Sequence, residues 1–99
     1  MKEISATELK KLIDEKADFQ LVDVREEHEF DEMNINGQLI PMGEVMDRAG
    51  EIAKDKQVVV HCRSGMRSAT VIKALEAQGY TNLYNLKGGI LAYAAEIGL

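Results

Sequence analysis

Positive charge is scarce in this chain, and so are cysteine and proline. Twelve Lys and Arg face seventeen Asp and Glu, for a net charge of −5, which argues against nucleic acid or an anionic membrane surface as the main partner. The one cysteine, Cys62, excludes an internal disulfide, and a reducing, cytoplasmic home is the simplest reading. No apolar run approaches the length of a membrane span. The opening Met-Lys-Glu-Ile-Ser has none of the apolar h-region of a secretory signal. Repeats, linkers and low-complexity segments are missing too. With 99 residues there is room for one core, so a single domain over residues 1–99 is expected.

What is present centres on Gln57 to Ser68, which reads Gln-Val-Val-Val-His-Cys-Arg-Ser-Gly-Met-Arg-Ser. Val58, Val59 and Val60 form a β-branched apolar run, the pattern of a strand buried on both faces. Arg63 to Ser68 is too short for more than a tight loop, and Ala69, Ile72 and Leu75 then recur at helical spacing. The expected order is strand, loop, helix, with Cys62 at the strand's end. Such a loop turns backbone N–H groups inward, and the helix behind it adds the positive end of its dipole. A thiol in that position loses its proton readily. Cys62 is therefore read as a nucleophile rather than as the small buried hydrophobe a lone cysteine usually is.

Lys56, Arg63 and Arg67 place three positive charges between Lys56 and Ser68 with no acid among them. The reading is a basic mouth on an acidic body, suited to a small anionic substrate. Arg63 and Arg67 are the candidates to meet its oxygens bidentately, and Gly65 permits close backbone approach inside the cradle.

Around this centre the chain alternates. Ser5-Ala-Thr-Glu8 fits a capping box, and Leu9, Leu12 and Ile13 follow as a core stripe, predicting a helix from Ala6 to Glu15. Gln20 to Val24 predicts a strand ending in Asp23-Val24-Arg25, and Glu26 to Glu32 a short surface helix or turn pinned by Phe30. A metal site from Glu26, Glu27, His28 and Glu29 is disfavoured, because such neighbours cannot all face one point; a solvated acidic face is the better reading. Ile35-Asn-Gly37 signals a turn, Gln38 to Ile40 a short strand ended by Pro41, and Met42 to Lys54 a helix despite Gly50. Gly79 stops the helix after the loop, Asn82 to Leu86 is the last strand, and Gly88-Gly89 turns into a final helix bearing Ile90, Leu91, Ala94 and Ile97. Strands alternating with helices predict an α/β sandwich, a parallel sheet covered on both faces. Ligands of such sheets bind beyond the strands' C-terminal ends, where both Cys62 and Asp23-Val24-Arg25 fall.

Several of these segments together resemble the rhodanese-like sulfurtransferases in single-domain form. They are Leu21-Val-Asp-Val-Arg-Glu26, Ile40-Pro41, Val60-His-Cys-Arg-Ser-Gly-Met-Arg-Ser68, Gly79-Tyr80 and Leu86-Lys-Gly-Gly-Ile90, in the family's order and across most of the chain. The resemblance implies a three-layer sandwich with a five-stranded, mostly parallel sheet and helices on both faces. It implies a six-residue active-site loop, here Cys62 to Arg67, with Cys62 catalytic and Arg63, Ser64, Gly65, Met66 and Arg67 cradling the substrate. It also implies a reaction in which Cys62 takes a sulfane sulfur from a donor such as thiosulfate and passes it to a thiophilic acceptor. That acceptor is cyanide in an assay, and a thiol or protein in a cell. No metal or organic cofactor is required. The alternatives are a sulfur carrier serving one protein partner, or a non-catalytic anion-binding regulatory domain. The family's usual Gly-His-Ile-Pro-Gly-Ala stretch is replaced by Asn34-Ile-Asn-Gly-Gln-Leu39, and its later aromatic is displaced to Tyr93.

Spacing separates this reading from a thiol phosphatase. Four residues stand between Cys62 and Arg67, where the phosphatase pattern has five, and the tighter ring has room for one extra sulfur rather than for a tetrahedral oxyanion. Asp23 and Arg25 are expected as a pair bracing the loop. His61, pointing away from Cys62 if the strand persists, is expected as packing or a tuning group, and Met66 as a pocket lip or core filler.

Overall fold

The computed structural model describes the whole chain, Met1 to Leu99. Its elements in order are β1 (Lys2–Ile4), α1 (Ala6–Asp14), β2 (Phe19–Asp23), α2 (Glu27–Glu32), β3 (Gln38–Leu39), β4 (Gln57–His61), α3 (Met66–Glu76), β5 (Leu83–Leu86) and α4 (Gly89–Glu96). The five strands form one sheet in the order β1-β5-β4-β2-β3, and every pairing is parallel. Parallel neighbours need crossovers, and the helices that make them cover both faces. No helix is long and apolar enough to cross a membrane.

The two faces hold separate cores. One gathers Val22, Val58, Val60 and Cys62 under Ile72, Leu75 and Tyr80. The other gathers Ile4, Leu9, Val59, Leu86 and Ile90, with Leu12 and Ile13 packed at its margin. Alternation along β4 decides which residue goes where: Val58, Val60 and Cys62 face α3, while Val59 and His61 face the opposite way. The valine run is thus buried on both sides, as its composition requires.

Local signals act as the sequence suggests at the start of α1. Ser5 Oγ accepts the Glu8 N–H at 3.1 Å and Glu8 Oε1 accepts the Ser5 N–H at 3.0 Å, so the capping box starts α1. Two expectations need correction. The first is an omission, since nothing in the sequence announces Lys2–Ile4, the fifth strand, an edge strand whose Lys2 sits opposite Tyr84; its three residues are too few to show alternation. Met42 to Lys54 is not one helix but two 3₁₀ turns, Met42–Glu44 and Ala49–Glu51, joined by a hydrogen-bonded turn over residues 45–48. The apolar spacing was real, since Val45 and Ile52 are buried with Ala49 and Ala53 beside them. Gly43 and Gly50 each weaken a continuous α-helix by about 1 kcal/mol, and the tighter turns deliver the same side chains to the core.

Candidate active site

Cys62 follows the end of β4, and the chain from Arg63 to Gly65 wraps over its sulfur before α3 begins at Met66. Gly65 stands at the helix N-cap with φ +110°, a conformation open to glycine and strained for any other residue. That conformation aims the Gly65 N–H at Cys62 Sγ, 3.1 Å away. The Ser68 hydroxyl, in the first turn of α3, lies 3.4 Å from the same sulfur. Burial pushes the Cys62 thiol up; the Ser68 hydroxyl and the backbone N–H groups of Ser68, Gly65 and Ser64 pull it down further, and the net direction is below the ordinary thiol value. The acidifying groups are the donors of the loop and helix start, as the cradle argument requires.

The expected loop residues divide by role. Arg63 and Ser64 are exposed at the mouth, and Met66 is 79 % exposed, which places it on the outer lip and excludes a core role. Arg67 is held: its Nη1 and Nη2 donate to Glu29 Oε1 and Oε2 at 2.6 and 2.9 Å. Lys56 lies at the start of β4, the far end from Cys62, paired with Asp18 at 3.1 Å. The three positive charges that sequence groups together therefore do not converge. Arg63 is the cation left at the mouth.

Glu29 is the site residue that sequence reasoning missed. It was expected on a solvated acidic face, yet it clamps α2 to the start of α3 from 38 positions away. The Arg67 guanidinium holds its carboxyl down at about 2, with further help from the Glu26 N–H that it accepts. Because the folded value lies below the ordinary 4.5, this contact stabilises the fold fully above that pH and loses its effect as pH falls toward 2. Glu29→Gln should therefore flatten the acid limb of stability, with a difference from the wild type of about 2 kcal/mol at neutral pH that shrinks toward zero in acid. Urea denaturation across that pH range measures it; parallel acid limbs in the two proteins would show that the clamp carries no stability.

Asp23 and Arg25 form the expected pair, but its reach differs from the expectation. Arg25 Nη2 donates to Asp23 Oδ2 at 2.8 Å and Nε to Oδ1 at 3.0 Å, with both side chains buried. The rest of the guanidinium donates to the carbonyls of Glu29 and Met33, at 3.3 and 2.7 Å. The pair thus fixes α2 and the segment after it, and reaches the Cys62–Arg67 loop through Glu29 and Arg67 on one side and through His61, whose Nδ1 lies 3.4 Å from the Cys62 carbonyl, on the other. His61 is fully buried on the face away from Cys62, with Nε2 3.6 Å from Asp23 Oδ2. Burial lowers its pKa and outweighs Asp23, so the ring stays neutral. No group of three His, Cys, Asp or Glu stands close enough together to hold a metal ion.

The loop is also held from the far side. Ile90 N–H donates to Cys62 O at 3.0 Å and Leu91 N–H to Arg63 O at 3.1 Å, so the first turn of α4 docks on the loop's own carbonyls. Gly89, with φ +62°, makes that approach: a Cβ there would overlap the Arg63 carbonyl and lie 2.7 Å from Ser64 N. The glycine pair was legible as a turn, but its pressure against the loop was not.

Known proteins resemble this chain in sequence and fold. A family model described as a rhodanese-like domain matches residues 5–96. The chain is 40 % identical over 97 residues to the Bacillus subtilis protein named "Putative sulfurtransferase YtwF", covering 97 % of this chain and 93 % of that one. It is also 40 % identical to a sulfurtransferase of Allochromatium vinosum, covering 93 % of this chain and 87 % of the relative. The solved rhodanese-like domain protein of Staphylococcus aureus superposes with a TM-score of 0.86 at 37 % identity, over 94 % of this chain and 91 % of that one. With sheet order, loop and relatives in agreement, the chain belongs to the rhodanese-like domain family of sulfurtransferases.

Proposed function

We propose that this protein moves a sulfane sulfur from a small anionic donor such as thiosulfate, through a persulfide on Cys62, to a thiophilic acceptor. The observation that supports this most is the acidified thiol under the Gly65 N–H, in a loop ending at Arg67. The Cys62 thiolate attacks the outer sulfur of thiosulfate. The sulfur–sulfur bond breaks, its electron pair leaves with sulfite, and the outer sulfur remains on Cys62 as a persulfide. An acceptor thiolate, or cyanide in an assay, then attacks that outer sulfur and returns the electron pair to Cys62. Sulfite departs stable as an anion, so no general acid is needed. Loop N–H groups stabilise negative charge on the resting sulfur and on the terminal sulfur of the persulfide. Arg63, exposed at the mouth, meets the donor's oxygens; Arg67, already held by Glu29, shapes the loop. The carried group is sulfur itself, which leaves no role for an organic cofactor.

The mass of the intact protein tests this reading. Incubation with thiosulfate should add about 32 Da, removable by a thiol reductant, and Cys62→Ser should gain nothing. A wild-type protein left unmodified by thiosulfate and by other sulfane donors would overturn it.

A further inference from the structure

Asn85 is a buried polar residue that the reaction above does not use. It lies on β5 opposite Val60 of β4, 5 % exposed. Its side-chain amide makes two hydrogen bonds. Nδ2 donates to the Gly65 carbonyl at 3.1 Å, and Oδ1 accepts from Ser68 Oγ at 2.6 Å. The Gly65 carbonyl can only accept, so it fixes which end of the amide faces the loop. Oδ1 is then turned to Ser68, and the single Ser68 proton points at Asn85. A hydroxyl has one proton, however, and the same oxygen stands 3.4 Å from Cys62 Sγ. While that proton serves Asn85, only an oxygen lone pair faces the sulfur.

We propose that Asn85 is a positioning residue that competes with Cys62 for the Ser68 proton, and so sets how readily the thiol ionises. The Ser68 hydroxyl has two positions. With a neutral sulfur at Cys62, either the thiol or the bonded inner sulfur of a persulfide, the Ser68 proton rests on Asn85. When Cys62 gives its proton to solvent, the hydroxyl turns and donates to the thiolate, because a hydrogen bond to a charged atom is the stronger of the two. Asn85 therefore stabilises the neutral-sulfur states and restrains the bare thiolate. Loading with sulfur moves the negative charge out to the terminal atom, under the loop N–H groups, and lets the proton return to Asn85. The arrangement favours the loaded protein over the empty thiolate.

Other charges around Cys62 do not supply this effect. Arg67 on α3 is paired with Glu29 of α2, Asp23 on β2 is paired with Arg25, and neutral His61 points to the other face of β4. Arg63 lies exposed on the loop itself.

The proposal takes Cys62 as the reacting sulfur, but its test reads thiol acidity alone and stands whether or not thiosulfate is the donor. The rate of alkylation by iodoacetamide, followed against pH, gives the thiol midpoint, and with one cysteine the signal has a single source. Asn85→Leu removes the competing acceptor and should lower the midpoint by about half to one unit, the worth of the neutral Ser68–Asn85 hydrogen bond that ionisation no longer has to break. Ser68→Ala should raise it by about the same amount. In the Ser68→Ala background the added Asn85→Leu change should have no further effect, because the proton being contested is gone. If Asn85→Leu raises the midpoint, leaves it unmoved, or shifts it equally in both backgrounds, the residue is only a tether for Gly65 and the proposal fails. Asn85→Ala gives the same comparison should the leucine variant not fold.

Discussion

Gly89→Ala should all but silence the site without changing any residue of the Cys62–Arg67 loop. The methyl group would overlap the Arg63 carbonyl oxygen and press on Ser64 N at 2.7 Å, and both obstacles are backbone. Neither can rotate aside as a side chain would. Gly89 also sits at φ +62°, where alanine is strained. The first turn of α4 must therefore withdraw, and with it go the hydrogen bonds from Ile90 and Leu91 to the carbonyls of Cys62 and Arg63. A shift of the loop by about 1 Å misaims its N–H donors and should reduce sulfur transfer about 100-fold. The strain and lost bonds together should lower stability by about 2–4 kcal/mol. Gly43→Ala is the matched control, since nothing lies within 4 Å of its Cβ. Turnover with thiosulfate and cyanide, alongside urea denaturation, measures both effects. A Gly89→Ala protein with the activity of the control would show that α4 does not press on the loop.

Arg25→Met should be the most destabilising single change outside the apolar cores. Asp23 and Arg25 are buried together, and removing the guanidinium leaves a carboxylate whose remaining contacts are the Arg25 backbone N–H at 3.0 Å and neutral His61 at 3.6 Å. Breaking a buried pair from one side costs about 3–5 kcal/mol, because the surviving charge stays desolvated. The Met33 carbonyl loses its side-chain donor as well, and the Glu29 carbonyl is left with the Met33 N–H alone. Replacing both partners, with Asp23→Leu added to Arg25→Met, should recover most of that loss, since no charge then remains. Denaturation of the two single variants and the double variant gives the coupling. A loss below about 1 kcal/mol for Arg25→Met would mean that water reaches Asp23 after all.

The centre of the fold was legible because its signals are local. The valines of β4 announce a doubly buried strand, and alternation places Cys62 toward α3 and His61 away from it. Ser5 and Glu8 announce the start of α1. What escaped was set by distant partners. Glu29 looks like one more acid in an acidic run until Arg67 is folded against it. Asn85 looks like an ordinary residue of the last strand until Gly65 and Ser68 close on it. Lys2–Ile4 becomes a strand only because β5 arrives beside it. Met42 to Lys54 misled for a different reason: helical spacing tells which side chains go inward, and two 3₁₀ turns can deliver them as well as an α-helix can.

The pairing of β1 with β5 bears on when the surroundings of the Cys62 thiol are assembled. Of the five strands β1 must wait for β5, since Lys2 finds its register only against Tyr84. Gly89 closes the loop from just beyond β5. Contacts so far apart along the chain make folding slow, because loop entropy is lost before they form. A nascent chain that has emerged only as far as Cys62 carries an ordinary cysteine, with no helix start behind it and no glycine pressing its loop shut. The donors that favour its thiolate come into place last, once β5 and Gly89 have closed on the loop.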